Sequence, residues 1–187
     1  MNVIDTEIPD VKLIEPKVFG DERGFFMESW NKRTFDNAGL DLDFVQDNHS
    51  RSVQHTLRGL HYQVKRPQGK LVRVSRGRIF DVAVDIRPSS STCGGWIGVW
   101  LTEENQRQLW VPPGFAHGFY VASSYADFQY KCTNYYSPID ERCICWNDDK
   151  IGIEWPIENG FTPLLSPKDS RGVRFDNALK ELLTNCP

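Results

Sequence analysis

The sequence predicts an all-β fold, a sandwich or barrel with short peripheral helices, on three observations. Residues 78–87, RIFDVAVDIR, alternate Phe80, Val82, Val84 and Ile86 with Asp81, Ala83, Asp85 and Arg87, the period-two pattern of a strand with one buried face. Further short apolar segments follow at close spacing, separated by Gly, Pro, Asn and Ser. Only two stretches of the chain carry helical periodicity. Many short strands with few helices are best satisfied by sheets that close around a common interior.

Taken in order, RGFF at 23–26 reads by itself as a strand whose aromatics pack, and NKRTFDNAG at 31–39 as a short helix. GKLVRVSRGRIFDV, residues 69–82, predicts a hairpin turning near Arg76-Gly77. Strands are expected at WIGVWL (96–101), RQLWV (107–111), GFYVAS (118–123), DFQYKCTNYY (127–136) and RCICWN (142–147). In FDNALKELL, Phe175, Leu179 and Leu182 recur at helical spacing and predict a C-terminal helix. No repeat, low-complexity run or linker interrupts the chain, so residues 1–187 are expected to form one domain.

Composition limits the partners. A chain of 187 residues with 40% hydrophobic and 12% aromatic content has material for a sizeable core. The 25 acidic and 22 basic residues leave a net charge of −3, which points to neither nucleic acid nor an anionic membrane. An anionic ligand must therefore be held by a local cluster. No apolar run approaches the roughly 18 to 20 residues that span a bilayer, and the N-terminal stretch lacks a basic-then-apolar leader pattern, so a cytoplasmic protein is expected. Cys93, Cys132, Cys143, Cys145 and Cys186 show no paired CxxC spacing and read as reduced, mostly buried thiols.

Chemistry centres on two of the four histidines. In VPPGFAHGF (111–119), His117 stands three positions after Gly114, beyond a proline pair that fixes the backbone. This Pro-x-Gly-x-x-His turn resembles the second motif of the cupin superfamily, whose jelly-roll barrels bring that histidine inside. The first cupin motif supplies His-x-His and a Glu to a metal. Here the corresponding stretch is His61-Tyr62-Gln63, with one imidazole. Zinc- or iron-type sites want three or more protein ligands, so no metal and no cofactor are expected, and His61 is either a base or a packed side chain.

DERGFFMESW, RGLHYQ, QGKLVRVSRGRIFDVAVDIR, VPPGFAHGF, YKCTNYYSP, IGIEWP and LLSPKD follow one another in the order and rough spacing of the dTDP-4-dehydrorhamnose 3,5-epimerases, which this chain resembles from about Ile4 to Leu183. The resemblance implies a metal-independent cupin homodimer acting on a dTDP-linked 4-keto-6-deoxyhexose. Such a sugar has acidified C–H bonds at C3 and C5, and inverting them needs a base on one face and an acid on the other. An imidazole titrates near neutral pH, which makes His61 the base. The resemblance assigns its orienting carboxylate to Asp169, which spacing alone would read as a loop carboxylate or helix cap.

The enolate needs a fixed cation near its oxygen, and Lys70 is placed to supply it, the alternative being a strand-end lysine that snorkels to solvent. Arg58 adds positive potential. Tyr130, protonated at neutral pH and on one strand face with Phe128 and Cys132, is the acid, or else a core tyrosine. His117 supports catalysis by family analogy and is otherwise a satisfied core histidine. Arg23, Phe26, Glu28, Gln46 and Asn48 match residues that hold the nucleotide in the family, some across the dimer, with Tyr136 and Lys168 as further candidates. The planar fork of Arg23 suits phosphate. The RPSSSTCGGW loop departs from the family, which favours an aromatic residue there, and Lys65-Arg66 either border substrate access or are solvated. A mono-epimerase, a non-catalytic sugar-binding cupin and a metal-dependent cupin are the other readings.

Overall fold

The computed structural model describes residues 1–158 and 160–185. In chain order the strands are β1 (Asn2–Asp5), β2 (Lys12–Glu15), β3 (Val18–Asp21) and β4 (Gly24–Met27), then helix α1 (Lys32–Asn37). There follow β5 (Gln46–Val53), β6 (Leu57–Gln63), β7 (Lys70–Arg76), β8 (Arg78–Asp85), β9 (Trp96–Thr102), β10 (Gln108–Val111), β11 (Phe115–Val121), β12 (Tyr125–Cys132) and β13 (Glu141–Cys143). A 3₁₀ turn at Asp169–Arg171 and helix α2 (Phe175–Asn185) complete the described elements. All strand pairs are antiparallel, in a six-stranded sheet β1-β2-β10-β7-β12-β5, a five-stranded sheet β13-β6-β11-β8-β9 and the two-stranded ribbon β3-β4. This is the jelly roll of the cupin type that the sequence predicts, with the C-terminal helix in place.

Two expectations are corrected. Residues 69–82 are not a hairpin, because β7 lies in the six-stranded sheet and β8 in the five-stranded one. Gly77 is a corner between the sheets: its φ is +82°, and a Cβ there would meet Tyr125 O at 2.2 Å. The alternation in β8 was also expected to bury one face, yet both are buried. Val82, Val84 and Ile86 pack outward beneath Phe175 and Ala178 of α2. Ile79, Asp81 and Ala83 turn inward, and Asp81 has no exposure. The polar side of this strand is the barrel interior.

The same logic explains strands that apolar alternation does not disclose. In β5, QDNHSRSV, the half-buried or buried positions are Gln46, Asn48, Ser50 and Ser52, while the intervening residues are exposed. The strand has ordinary period-two geometry with a polar inner face. At the C-terminal side, expectations ran long: β12 ends at Cys132, so Thr133–Tyr136 lie beyond it, and β13 is three residues long with an isolated bridge from Ile144 to Val173.

The apolar core fills one part of the space between the sheets, from Val72 and Val74 through Ile97, Leu101, Phe119 and Phe128. Phe35 of α1 covers the outer face of the six-stranded sheet with Ile14, Leu71 and Trp110. The SSSTCGG loop is tied to Asp85, whose Oδ2 accepts from Ser90 Oγ and Thr92 Oγ1, both at 2.6 Å, and from Arg87 Nη2 at 2.7 Å. Burial raises the Asp85 carboxyl, but these donors outweigh it and hold the pKa at about 2. Arg66 pairs with Asp140 at 3.1 Å and fastens the β6–β7 connection. Of the four described cysteines, all free, Cys132 and Cys143 are buried and Cys93 and Cys145 partly so; Cys186 lies outside the described residues.

Candidate active site

A cavity of about 310 Å³ opens between the sheets beyond the apolar core. Gln46, Asn48, Ser50, Arg58, His61, Gln68, Lys70, His117, Phe119, Phe128, Tyr130, Cys132, Tyr136, Glu141 and Lys168 line it. His61 comes from β6 in one sheet, whereas Lys70 and Tyr130 come from the paired strands β7 and β12 in the other. Close approach of β6 and β11 depends on two glycines. A Cβ on Gly59, whose φ is +136°, would sit 2.6 Å from the Gly118 Cα, and a Cβ on Gly118 would meet Arg58 O at 2.7 Å. With both absent, His61 and His117 become ladder partners.

Each imidazole has its own carboxylate. His61 Nε2 lies 2.6 Å from Asp169 Oδ1, which also accepts from Gly59 N at 3.1 Å, and Ser166 Oγ donates to Asp169 Oδ2 at 2.6 Å. Asp169 is thus neither solvated nor a simple cap: it is 3% exposed and fully engaged. Burial raises its carboxyl, but the bonds from His61, Ser166 and Gly59 outweigh that and hold it well below the usual carboxylate range. With Asp169 ionised, Nε2 carries the imidazole proton and Nδ1 keeps its lone pair. Burial, aided by the positive charges of Lys168 and Lys70, lowers the pKa of His61 against the opposing pull of Asp169. The buried His117 bonds Asp81 at 2.9 and 3.0 Å and stacks on Phe128, with ring centroids 6.0 Å apart.

On the facing sheet, the Lys70 ammonium lies 5.9 Å from the Tyr130 ring centroid and lines the cavity instead of reaching solvent. Burial lowers the pKa of Lys70 and raises that of the Tyr130 phenol. Gln46 Oε1 accepts from Tyr136 N at 2.9 Å and its Nε2 donates to Asn48 Oδ1 at 3.0 Å, so this end of β5 is anchored to the loop after β12. Arg58 Nε donates to Ser52 Oγ at 3.0 Å.

The fold therefore gathers His61, Asp169, Lys70, Tyr130, Arg58, Gln46, Asn48, His117, Tyr136 and Lys168 around one space. It does not bring Arg23, Phe26 or Glu28 to that space within the same chain. They belong to the β3-β4 ribbon and its exit, where Arg23 pairs with Asp21 at 2.5 Å and Glu28 bonds Asn31 at 2.6 Å. Lys65 and Arg66 do not line the cavity either.

Sequence reasoning missed Asp81, Ser166 and Glu141. Glu141 accepts from Lys168 Nζ at 2.8 Å and Tyr136 Oη at 2.9 Å; burial raises its carboxyl, but these bonds leave the pKa lowered. Asp81 was visible as the polar side of RIFDVAVDIR, while Glu141, in a loop-bounded ERC, carried no signal. Among the described residues, His61, Cys143 and Asp169 form one trio of metal-type ligands, with donor atoms within 4.8 Å of one another. It is not the cupin metal set, since His117 is committed to Asp81.

A cupin-type jelly roll whose cavity sets a carboxylate-held imidazole opposite a lysine and a phenol has the equipment of an acid–base sugar isomerase. The family described as dTDP-4-dehydrorhamnose 3,5-epimerase matches residues 5–177, and the chain belongs to it. A dTDP-4-dehydrorhamnose 3,5-epimerase of Shigella flexneri is 61% identical over 180 residues, 95% of this chain and 98% of that one. The enzyme of the same description from Pseudomonas aeruginosa is 57% identical over 172 residues, 91% and 94% of the two chains. The crystal structure of a dTDP-6-deoxy-D-glucose-3,5-epimerase from Legionella pneumophila in complex with dTDP-4-keto-L-rhamnose superposes with a TM-score of 0.93 at 52% identity, covering 97% of this chain and 96% of that one.

Proposed function

We propose that the chain inverts C3 and C5 of dTDP-4-dehydro-6-deoxy-D-glucose to give dTDP-4-dehydro-L-rhamnose. The observation that carries the reading is the placement of His61 and Tyr130 on opposite sheets across one cavity. His61 Nδ1 takes the proton α to the ketone, Asp169 holds the resulting imidazolium, and Lys70 stabilises the enolate oxygen. Tyr130 donates a proton to the other face of the same carbon, and solvent restores both groups before the second centre reacts. His117, fixed by Asp81, supports the keto end of the site. Arg58 and Lys168 offer positive charge to the diphosphate, and Gln46, Asn48 and Tyr136 offer polar contacts to the nucleotide. The residues act as one domain, and the protein works in the cytoplasm.

Turnover in deuterated water tests the reaction. Deuterium at both C3 and C5 of the product is expected; deuterium at one carbon alone would make the chain a mono-epimerase, and none at either would end the enolate mechanism.

Arg23, Phe26 and Glu28 act from a second protomer. Phe19, Phe25 and Phe26 are 52%, 60% and 66% exposed on the β3-β4 ribbon, an apolar surface that a partner would cover. Among the described residues, no helix is long and apolar enough to cross a membrane. Sedimentation is expected to give a homodimer, and Phe25→Asp with Phe26→Asp to give a monomer of sharply reduced turnover. A wild-type chain that is monomeric and fully active would remove the ribbon from the site.

A further inference from the structure

We infer that His61, Cys143 and Asp169 form an inhibitory site for zinc-type divalent cations beside the catalytic cavity. The inhibition, though not the binding, rests on His61 being the base. Cys143 is the ladder partner of His61 across β13 and β6, and its Sγ lies 3.3 Å from Gly59 O. Gly59 N in turn donates to Asp169, so the thiol, imidazole and carboxylate are clasped around one short piece of β6. Their donor atoms lie within 4.8 Å of one another. Zinc bonds of about 2.0 to 2.3 Å in a tetrahedron separate ligands by roughly 3.3 to 3.8 Å. Closing the trio thus needs side-chain shifts of about an ångström, including opening of the 2.6 Å contact between His61 and Asp169.

Donor chemistry and charge both suit a borderline-soft dication. Nitrogen, sulfur and oxygen ligands favour zinc or cadmium over magnesium or calcium. The thiolate and carboxylate balance the two positive charges. A second cavity, of about 330 Å³, borders two of the three ligands, His61 and Asp169, together with Ser166, and leaves room for water as a fourth ligand. The neighbouring Lys168 is already paired with Glu141 at 2.8 Å.

On binding, the Cys143 thiol loses its proton to solvent as the sulfur–metal bond forms. The imidazole proton shifts by way of solvent from Nε2, which takes the metal, to Nδ1. No oxidant or reductant is involved. The consequence is a base that cannot accept a proton: Nδ1 now carries hydrogen, while the sugar pocket remains open. Zinc should therefore lower kcat and leave KM for the nucleotide sugar nearly unmoved.

The test uses chelator-treated, reduced protein titrated with cadmium chloride and then zinc chloride. One equivalent of cadmium is expected to raise the ultraviolet thiolate-to-metal charge-transfer band. Saturating zinc should abolish turnover through kcat, and added chelator should restore it. Cys143→Ser should lose the band and the zinc sensitivity while keeping basal turnover. A variant retaining Cys143 as its only cysteine should keep the band, which holds the test open should Cys143→Ser fail to fold. A band absent at one equivalent, or absent from the Cys143-only variant, overturns the site, as does a band that persists in Cys143→Ser. Zinc that raises KM alone would be acting on the substrate diphosphate and would overturn the inhibitory role. The cadmium band is read without substrate, so a protein that shows it but epimerises nothing keeps the site and loses the proposed function.

Discussion

His61→Asn is expected to abolish epimerisation together with the exchange of the C3 and C5 hydrogens with solvent. The substitution removes the cavity imidazole whose Nε2 is held by the buried Asp169 and whose Nδ1 lone pair is the proposed proton acceptor. Without the first deprotonation no enolate forms, so Lys70 and Tyr130 have nothing to act on. General bases contribute about 10² to 10⁴-fold, equivalent to roughly 3 to 5 kcal/mol of barrier, and both rates should fall by at least that range. Nucleotide affinity should change little, because the asparagine leaves Arg58, Gln46 and Asn48 untouched. A His61→Asn protein that retains exchange at C3 or C5 would refute the base assignment.

The same assignment fixes the acid limb of the pH profile. Burial lowers the pKa of His61 below the ordinary imidazole value of about 6.5, so the neutral, proton-accepting form already dominates at pH 7. As pH falls, kcat/KM should decline only on passing through this lowered pKa, placing the limb on the acid side of 6.5. A limb above 6.5 would mean that the Asp169 carboxylate controls the imidazole more strongly than burial does.

How far such chemistry could be read from sequence depended on what each inner face holds. Where β8 and β11 fill the barrel or its outer layer with Val82, Val84, Phe119 and Val121, alternation in the first and a short apolar run in the second disclosed strands directly. Where β5 lines the cavity, the inner residues are Gln46, Asn48 and Ser50, and the hydrophobic pattern vanishes although the geometry is regular. Asp81 shows the same effect within one strand: its polarity suggested solvent, but it lies with His117 in the interior. Sheet membership was beyond local pattern too, since a glycine with positive φ serves a hairpin and an inter-sheet corner equally well, and Gly77 is the latter. His61 and Asp169, 108 residues apart, could be paired from sequence only through the family resemblance. Glu141 acquires its place from Tyr136 and Lys168, contacts that no spacing rule contains.

Tyr130→Phe should separate the two halves of the reaction. The substitution deletes a hydroxyl and keeps the ring, so the packing of that ring against Phe128, with centroids 5.4 Å apart, and the cation above it survive. Deprotonation by His61 and enolate stabilisation by Lys70 remain available, whereas proton delivery from the six-stranded sheet is lost. Burial raises the pKa of the Tyr130 phenol, so the native side chain stays protonated through neutral pH and a donor is what the variant lacks. His61 can return a proton to the face it came from, and after that proton has exchanged with solvent the sugar is labelled but not inverted. Inversion should therefore fall by about 10² to 10⁴-fold while exchange falls less, raising the ratio of exchange to epimerisation. Deuterium incorporation into recovered substrate, measured beside product formation, reads that ratio. If the variant folds, binds nucleotide normally and loses both rates equally, Tyr130 acts before or during enolate formation, and the acid on the far face must be another cavity residue.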